Sequence, residues 1–166
     1  MARAIALLKY HPVAPLGGWF AARLAELIAR QPEAFAADVV VPVPIHATRL
    51  RERGYNQAEL IARPLAKHLD LPLRSYLLVR TKPRPNKLKL TRQERWRTVR
   101  GAYVMRQGTR VDKLRVLLVD DVFTTGATLD ACARALRRAG ASNVVAVTVA
   151  RVLPSWVPPG AVQGQI

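Results

Sequence analysis

The sequence predicts an α/β fold with a mostly parallel sheet flanked by helices, and three observations lead there. Residues 116–149 read strand, helix, strand, the unit that joins two parallel strands. A further short apolar strand, Val39–Val43, stands well upstream and is stopped by Pro42 and Pro44. Two segments around that strand, 16–30 and 55–69, repeat apolar residues at helical spacing.

Each element has its own signal. In 16–30, Phe20, Leu24, Leu27 and Ile28 fall on one stripe, with Arg23, Glu26 and Arg30 opposite. Trp19 beside them reads as core. Tyr55 to Leu69 reads as a helix with Ala58, Ile61, Ala62, Leu65 and Leu69 inward and Glu59–Arg63 as an i,i+4 pair. Pro64 lacks an N–H and is expected to kink or restart it. Tyr76–Val79, Ala102–Met105 and Val116–Val119 read as strands. Between them, residues 81–100 are polar and basic and hold Pro83 and Pro85, which predicts a long mobile loop with a helical turn near 91–99. Ala127–Ala139 is a helix with Leu129, Cys132 and Leu136 inward, Asp130 and Arg134 paired outward, and Gly140 at its C-terminal end. Val144–Val149 is an apolar strand. The domain spans residues 1–153, and the Pro- and Gly-containing residues 154–166 read as a loosely held tail.

Composition bounds the function. A chain of 166 residues is one domain's worth. Half the residues are hydrophobic and the mean hydropathy is +0.03, which excludes a disordered chain. No apolar run approaches the roughly 18 residues that span a bilayer. The apolar start Ala4–Leu8 is broken by Lys9 and gives no signal peptide. One cysteine, Cys132, excludes an intramolecular disulfide and a multi-Cys zinc site, and reads as a small core residue in a reducing, cytoplasmic setting. The histidines His11, His46 and His68 are dispersed and give no triad.

The net charge is +16, from 27 Lys+Arg against 11 Asp+Glu. Between Arg80 and Arg115 lie 13 of those basic residues, with only Glu94 and Asp112 as acids. Such a field favours anionic partners: phosphorylated small molecules, nucleic acid or an anionic membrane surface. The competing reading is a set of solvated arginine faces. Trp96, inside the basic segment, either stacks on a base or packs its own loop down.

One stretch concentrates the chemistry: Val116-Leu-Leu-Val-Asp120-Asp121-Val-Phe-Thr124-Thr125-Gly126-Ala127-Thr128. A buried strand delivers two adjacent carboxylates to its C-terminal end, where ligands bind in open α/β sheets. A Thr/Gly turn then opens a helix, and its N–H groups and hydroxyls suit a phosphate, helped by the helix dipole. Gly126 permits close approach or a positive φ. A ribose diol on Asp120 and Asp121 and a 5-phosphate on the turn would satisfy both halves. Read residue by residue, the string is also compatible with an ordinary strand end and a Thr-capped helix.

Taken whole, the string resembles the phosphoribosyl-diphosphate motif of type I phosphoribosyltransferases. A second stretch, Val41-Pro42-Val-Pro44-Ile-His46-Ala-Thr-Arg49-Leu-Arg51-Glu-Arg53-Gly54-Tyr55-Asn56-Gln57, resembles the corresponding segment of the ComF competence-protein family. The resemblance covers about residues 8–151 and implies a type I phosphoribosyltransferase-like domain linked to single-stranded DNA uptake in natural transformation. It implies 5-phosphoribosyl 1-diphosphate as ligand, held by Asp120, Asp121, Thr124, Thr125, Gly126, Ala127 and Thr128. Arg49, Arg53 and the polar start of the following helix would face the diphosphate, the alternative for the arginines being a solvated basic helix start. Lys87 and Arg95 would be loop contacts. Mg²⁺ is implied as cofactor, reached through the ligand or through Asp120 and Asp121.

Single-stranded DNA and other competence proteins are the further implied partners, and association with a membrane through the competence machinery is the alternative to a purely cytoplasmic location. Family members commonly carry an N-terminal Cys-rich zinc-binding segment, and this sequence is expected to lack it. Lys87 stands where the family usually has Gln, and Thr98 where it has Asn. Arg95 and Gly101-Ala102-Tyr103 match. Two functional classes stay open. One is an enzyme displacing diphosphate at C1 through a positively charged ribosyl transition state, with a nucleobase or related small acceptor and no role in DNA uptake in its metabolic form. The other is a competence factor that senses phosphoribosyl diphosphate.

Overall fold

The computed structural model describes residues 14–83 and 91–152. The tail 154–166, the start Ala4–Leu8, His11 and the basic residues Arg84, Lys87 and Lys89 lie outside the described residues. Among the described residues ten elements follow in order: α1 (Ala14–Ala29), β1 (Val39–Pro42), α2 (Ala47–Arg53), α3 (Gln57–His68), β2 (Leu78–Arg80), α4 (Arg92–Val99), β3 (Tyr103–Met105), β4 (Arg115–Phe123), α5 (Ala127–Arg138) and β5 (Asn143–Arg151).

The sheet has the order β1-β4-β5, and both pairings are parallel. Val39 lies opposite Val116, and Arg115 opposite Asn143. On the outer side of β1 the chain at Leu73 adds a parallel bridge to Val40. A separate antiparallel ribbon pairs β2 with β3. β4 and β5 are joined through α5, so the predicted strand–helix–strand unit is present.

Strand side chains alternate between faces, and each face has its own core. Val39, Val41, Val116 and Leu118 pack with Leu129, Cys132 and Leu136 of α5 and with Leu77, Leu78 and Tyr103 of the ribbon. Val40, Leu117 and Val119 pack with Phe20, Leu24 and Ile28 of α1 and Ile61, Ala62 and Leu65 of α3. The result is three layers, with the sheet in the middle. Each fully buried Val, Leu or Ile contributes roughly 1.5–3 kcal/mol, which is why these short apolar runs choose the interior.

At the N-terminal edge of the sheet, Arg115 clamps Asp38. Its backbone N–H donates to Asp38 Oδ2 at 2.7 Å and its guanidinium to Oδ1 at 2.6 Å. The guanidinium holds the Asp38 carboxyl below its ordinary pKa. This fixes the register of β1 against β4 at the end opposite the acidic pair.

Five sequence expectations are corrected. Leu27 is off the buried stripe and 47% exposed, because Gly17 and Ala21 lie on that face with Phe20, Leu24 and Ile28. Trp19 is 52% exposed and not core, although its ring meets Phe20 edge-on at 5.2 Å. The segment before α3 holds a helix of its own, α2, ended by Gly54 at φ +79. Helix α3 runs across Pro64 as one element, so the proline does not restart it. There α1 comes so close that a Cβ on Gly17 would lie 2.4 Å from the Leu60 carbonyl oxygen, the acceptor that Pro64 cannot serve. β4 is also longer than predicted and carries both acids within the strand.

Candidate functional site

β4 ends in Asp120-Asp121-Val-Phe123 and is followed by the turn Thr124–Gly126 into α5. Through Val119 the strand alternates regularly between the two cores. Past the acids the phase inverts: Val122 packs with the α1/α3 layer and Phe123 with the α5 layer. That slip lets two adjacent strand residues border the same cleft. Asp120 Oδ1 accepts the backbone N–H of Asp121 at 2.9 Å, which fixes the first carboxylate against the strand.

Gly126 is the N-cap of α5 at φ +79 and brings no side-chain cap. A Cβ there would meet the Phe123 ring at 3.0 Å. Phe123 therefore shapes the turn from beneath, and the Arg151 guanidinium sits 5.3 Å from its ring centroid. The Ala127 N–H approaches Thr125 Oγ1 at a long 3.5 Å. The helix start thus presents N–H groups and threonine hydroxyls together, an arrangement suited to a phosphate.

On the facing side, β1 runs out through Val43 and Pro44 to His46, which caps α2 by accepting the Thr48 N–H. α2 carries Arg49 and Arg53. Asn56 caps α3 through Oδ1 and donates through Nδ2 to the Val43 carbonyl at 3.0 Å, which closes this loop at its base. A cleft of about 540 Å³ lies between the two loops. Of the residues expected at the site, Asp120, Asp121, Thr124, Thr125, Ala127, Thr128, Arg49, Arg53 and Arg95 all line it. Gly126 forms the turn behind them, and Lys87 is outside the described residues.

Sequence reading missed Arg80 and Tyr103 among the lining residues. Arg80, at the end of β2, places its guanidinium 5.4 Å from the Tyr103 ring centroid. Tyr103 is hydrogen-bonded with Thr128, and burial pushes its phenol up to about 12, Arg80 partly opposing. It remains a neutral phenol at physiological pH. Gln57 is 7% exposed and lines the cleft beside Asn56. The signal for Gln57 was the polar Asn-Gln start of α3, which the sequence already set facing the diphosphate. Arg80 and Tyr103 gave none, because a lone Arg and a lone Tyr at strand ends look like ordinary surface and core residues. Burial also pushes the Cys132 thiol, behind the cleft, well above its ordinary pKa.

The lining therefore combines two carboxylates, the four arginines Arg49, Arg53, Arg80 and Arg95, and the hydroxyl residues Thr124, Thr125 and Thr128. Carboxylates suit sugar hydroxyls, while guanidinium groups and a helix start suit phosphate. Among the described residues no group of three or more His, Cys, Asp or Glu could hold a metal by itself. A family model described as "Phosphoribosyl transferase domain" matches residues 56–164.

The chain belongs to that phosphoribosyl transferase domain family.

Within it, this phosphoribosyltransferase-family chain is similar to "Competence protein F" of Haemophilus influenzae, 32% identical over 115 residues, which cover 69% of this chain and 50% of that protein. It is similar to "DNA utilization protein YhgH" of Escherichia coli, 33% identical over 70% of this chain and 50% of the relative. "Competence protein ComFC" of Bacillus subtilis is 34% identical over 68% of this chain and 44% of its own length. The chain thus spans about half the length of the curated relatives it matches. Among solved structures it resembles the adenine phosphoribosyltransferase of Thermoanaerobacter pseudethanolicus, with TM-score 0.53, 16% identity, and 86% of this chain and 71% of that chain covered. It also resembles the glutamine phosphoribosylpyrophosphate amidotransferase of B. subtilis, with TM-score 0.52, 23% identity, and 81% of this chain and 26% of that chain covered. At these identities the likeness shows the fold alone, a type I phosphoribosyltransferase fold.

Proposed function

We propose that the cleft binds 5-phosphoribosyl 1-diphosphate and that the chain serves DNA handling of the kind for which its competence and DNA-utilization relatives are named. The supporting observation is the convergence of Asp120, Asp121 and the Thr124–Thr128 turn with Arg49 and Arg53 around one cleft. In this reading Asp120 and Asp121 accept the ribose hydroxyls. The turn and the start of α5 hold the 5-phosphate. Arg49 and Arg53 face the diphosphate, joined by Arg80 and Arg95.

The donor set fits Mg²⁺, which is usually held by one or two carboxylates together with phosphate oxygens rather than by an all-protein cage. Asp120 and Asp121 would hold it with the ligand, and bound Mg²⁺ would neutralise charge developing on diphosphate. The guanidinium groups supply the same stabilisation from the protein side. Lys87 belongs to this reading as a loop contact.

Among the described residues no helix is long and apolar enough to cross a membrane. Single-stranded DNA and other competence proteins are the partners proposed beyond the small ligand, and the cytoplasm is the proposed location. Titration calorimetry with phosphoribosyl diphosphate and Mg²⁺ tests the site: saturable binding is expected, and its absence overturns the reading. A diphosphate-release assay with nucleobases and single-stranded DNA then assigns the class. Release with an acceptor makes the protein a transferase, and binding without release makes it a sensor.

A further inference from the structure

We propose that the outer face of α4 is a stacking platform for single-stranded nucleic acid, with the Trp96 indole as the stacking surface between Arg92 and Arg100. This contact deepens the DNA-handling role proposed above and rests on it.

Helix α4 begins with a capping box. The Glu94 side chain accepts the Thr91 N–H at 2.7 Å, and Thr91 Oγ1 accepts the Glu94 N–H at 3.2 Å. The one acid of the element is thereby directed at its own N-cap backbone. Two faces follow from the helical spacing. Arg95 and Thr98 border the cleft, and Val99 beside them is buried. Arg92, Trp96 and Arg100 recur every fourth residue and form a stripe alongside that face. All three are exposed, as is Arg97.

Trp96 keeps 38% of its surface in water. At the C-terminal end, Lys82 Nζ donates to the Arg100 carbonyl at 3.0 Å, which brings a further ammonium to the same region.

Like charges at this density repel one another, and a polyanion relieves that repulsion. Phosphates alone would not call for an indole. A base does, because every base offers a π-face, and stacking tolerates any sequence. In a duplex those faces are covered by neighbouring pairs, so the matching partner is a single strand. Its backbone would run past Arg92 and Arg100 while one base lies on Trp96.

Fluorescence anisotropy on the full chain tests this with three probes of equal length: labelled oligothymidylate, an abasic strand and a duplex. The full chain should prefer oligothymidylate to the abasic strand. Trp96→Ala should weaken oligothymidylate binding by about 5- to 100-fold while leaving abasic-strand affinity and the salt slope unchanged. Trp96→Phe should keep most of the affinity. Arg92→Ala with Arg100→Ala should instead lower the log–log salt slope by about 1.4, from about 0.7 per phosphate contact.

Equal binding by Trp96→Ala and the full chain overturns the platform and leaves the DNA-handling role standing. If Trp96→Ala does not fold, equal affinity of the full chain for oligothymidylate and abasic strand overturns it in the same way. Preference for the duplex also overturns the platform. No binding to any strand removes the DNA-handling role together with it.

Discussion

The side-chain amide of Asn56 ties the start of α3 to the end of β1. Its Nδ2 donates to the Val43 carbonyl at 3.0 Å, while its Oδ1 accepts the Ala58 N–H at 3.1 Å. One side chain thus closes the loop that carries His46, Arg49 and Arg53 and also caps the helix beneath it. Asn56→Ala should cost about 1–2 kcal/mol of stability from the lost cap alone. Asn56→Asp keeps an acceptor for the cap but sets a carboxylate against the Val43 carbonyl. It should recover helix capping yet still weaken phosphoribosyl diphosphate binding. Urea unfolding and calorimetry on the two variants separate the roles, and equal ligand affinity in Asn56→Asp would deny that Asn56 closes the loop.

The acidic pair gives the second prediction. Asp120→Asn with Asp121→Asn should weaken phosphoribosyl diphosphate binding in Mg²⁺ by roughly 2–4 kcal/mol, as charge-assisted bonds to the ribose are lost. The fold should survive, because both side chains border the cleft and are half-buried rather than core. Calorimetry reads the affinity, and circular dichroism checks the fold.

Gly17 gives a third. In a solvent-exposed helix interior, Gly→Ala stabilises by about 1 kcal/mol. Here the added Cβ would stand 2.4 Å from the Leu60 carbonyl oxygen, backbone that cannot swing aside. Overpacking typically costs 1–3 kcal/mol, so about 0–2 kcal/mol of net destabilisation is expected as α1 is pushed off α3. Gly18, whose Cβ would meet nothing within 4 Å, is the control and should gain from the same change. Thermal melts of both variants decide the sign.

Tyr103 links stability to alkaline pH. Its phenol is pushed up to about 12 by burial, against an ordinary value of 10.0. Between those values the unfolded chain has released the proton and the native protein still holds it, so stability falls as pH rises from about 10 to 12. The full effect is about 2–3 kcal/mol. Tyr103→Phe should flatten that part of the profile in urea melts. An unchanged slope would mean that other groups carry it.

Cys132 is fully buried, and its thiol is pushed well above the ordinary range. A native chain should therefore resist thiol reagents at neutral pH and react completely once unfolded in urea. A disulfide-exchange colorimetric assay reads both states.

Periodicity and motif made the strand–helix–strand unit, the buried face of α5, the Glu59–Arg63 pair and the Thr/Gly turn that opens α5 legible in the sequence. These are local features: spacing along one element decides which side chains share a face, and the Gly126 conformation follows from its neighbours. What the sequence did not reveal depended on contacts between segments distant in the chain. Leu27 and Trp19 fit a core stripe, but the part of α1 that meets the sheet and α3 is set by Gly17 against Leu60. Pro64 signals a break, yet tertiary packing keeps α3 whole across it.

Composition and motif by themselves pointed to a class of ligand: carboxylates suit a sugar, a Thr/Gly helix start suits a phosphate, and an excess of cations suits an anionic partner. Only the tertiary structure decided which cations share the cleft with those carboxylates. Arg80 and Tyr103 stand at the ends of β2 and β3, and Gln57 at the start of α3, all far from Asp120 in sequence. The pairing of β2 with β3 and the packing of α5 on the ribbon bring Arg80 and Tyr103 beside it, and the Asn56–Val43 hydrogen bond holds the start of α3 at the end of β1. Spacing along the chain encodes the faces of an element, whereas which faces meet is set by packing around a shared core.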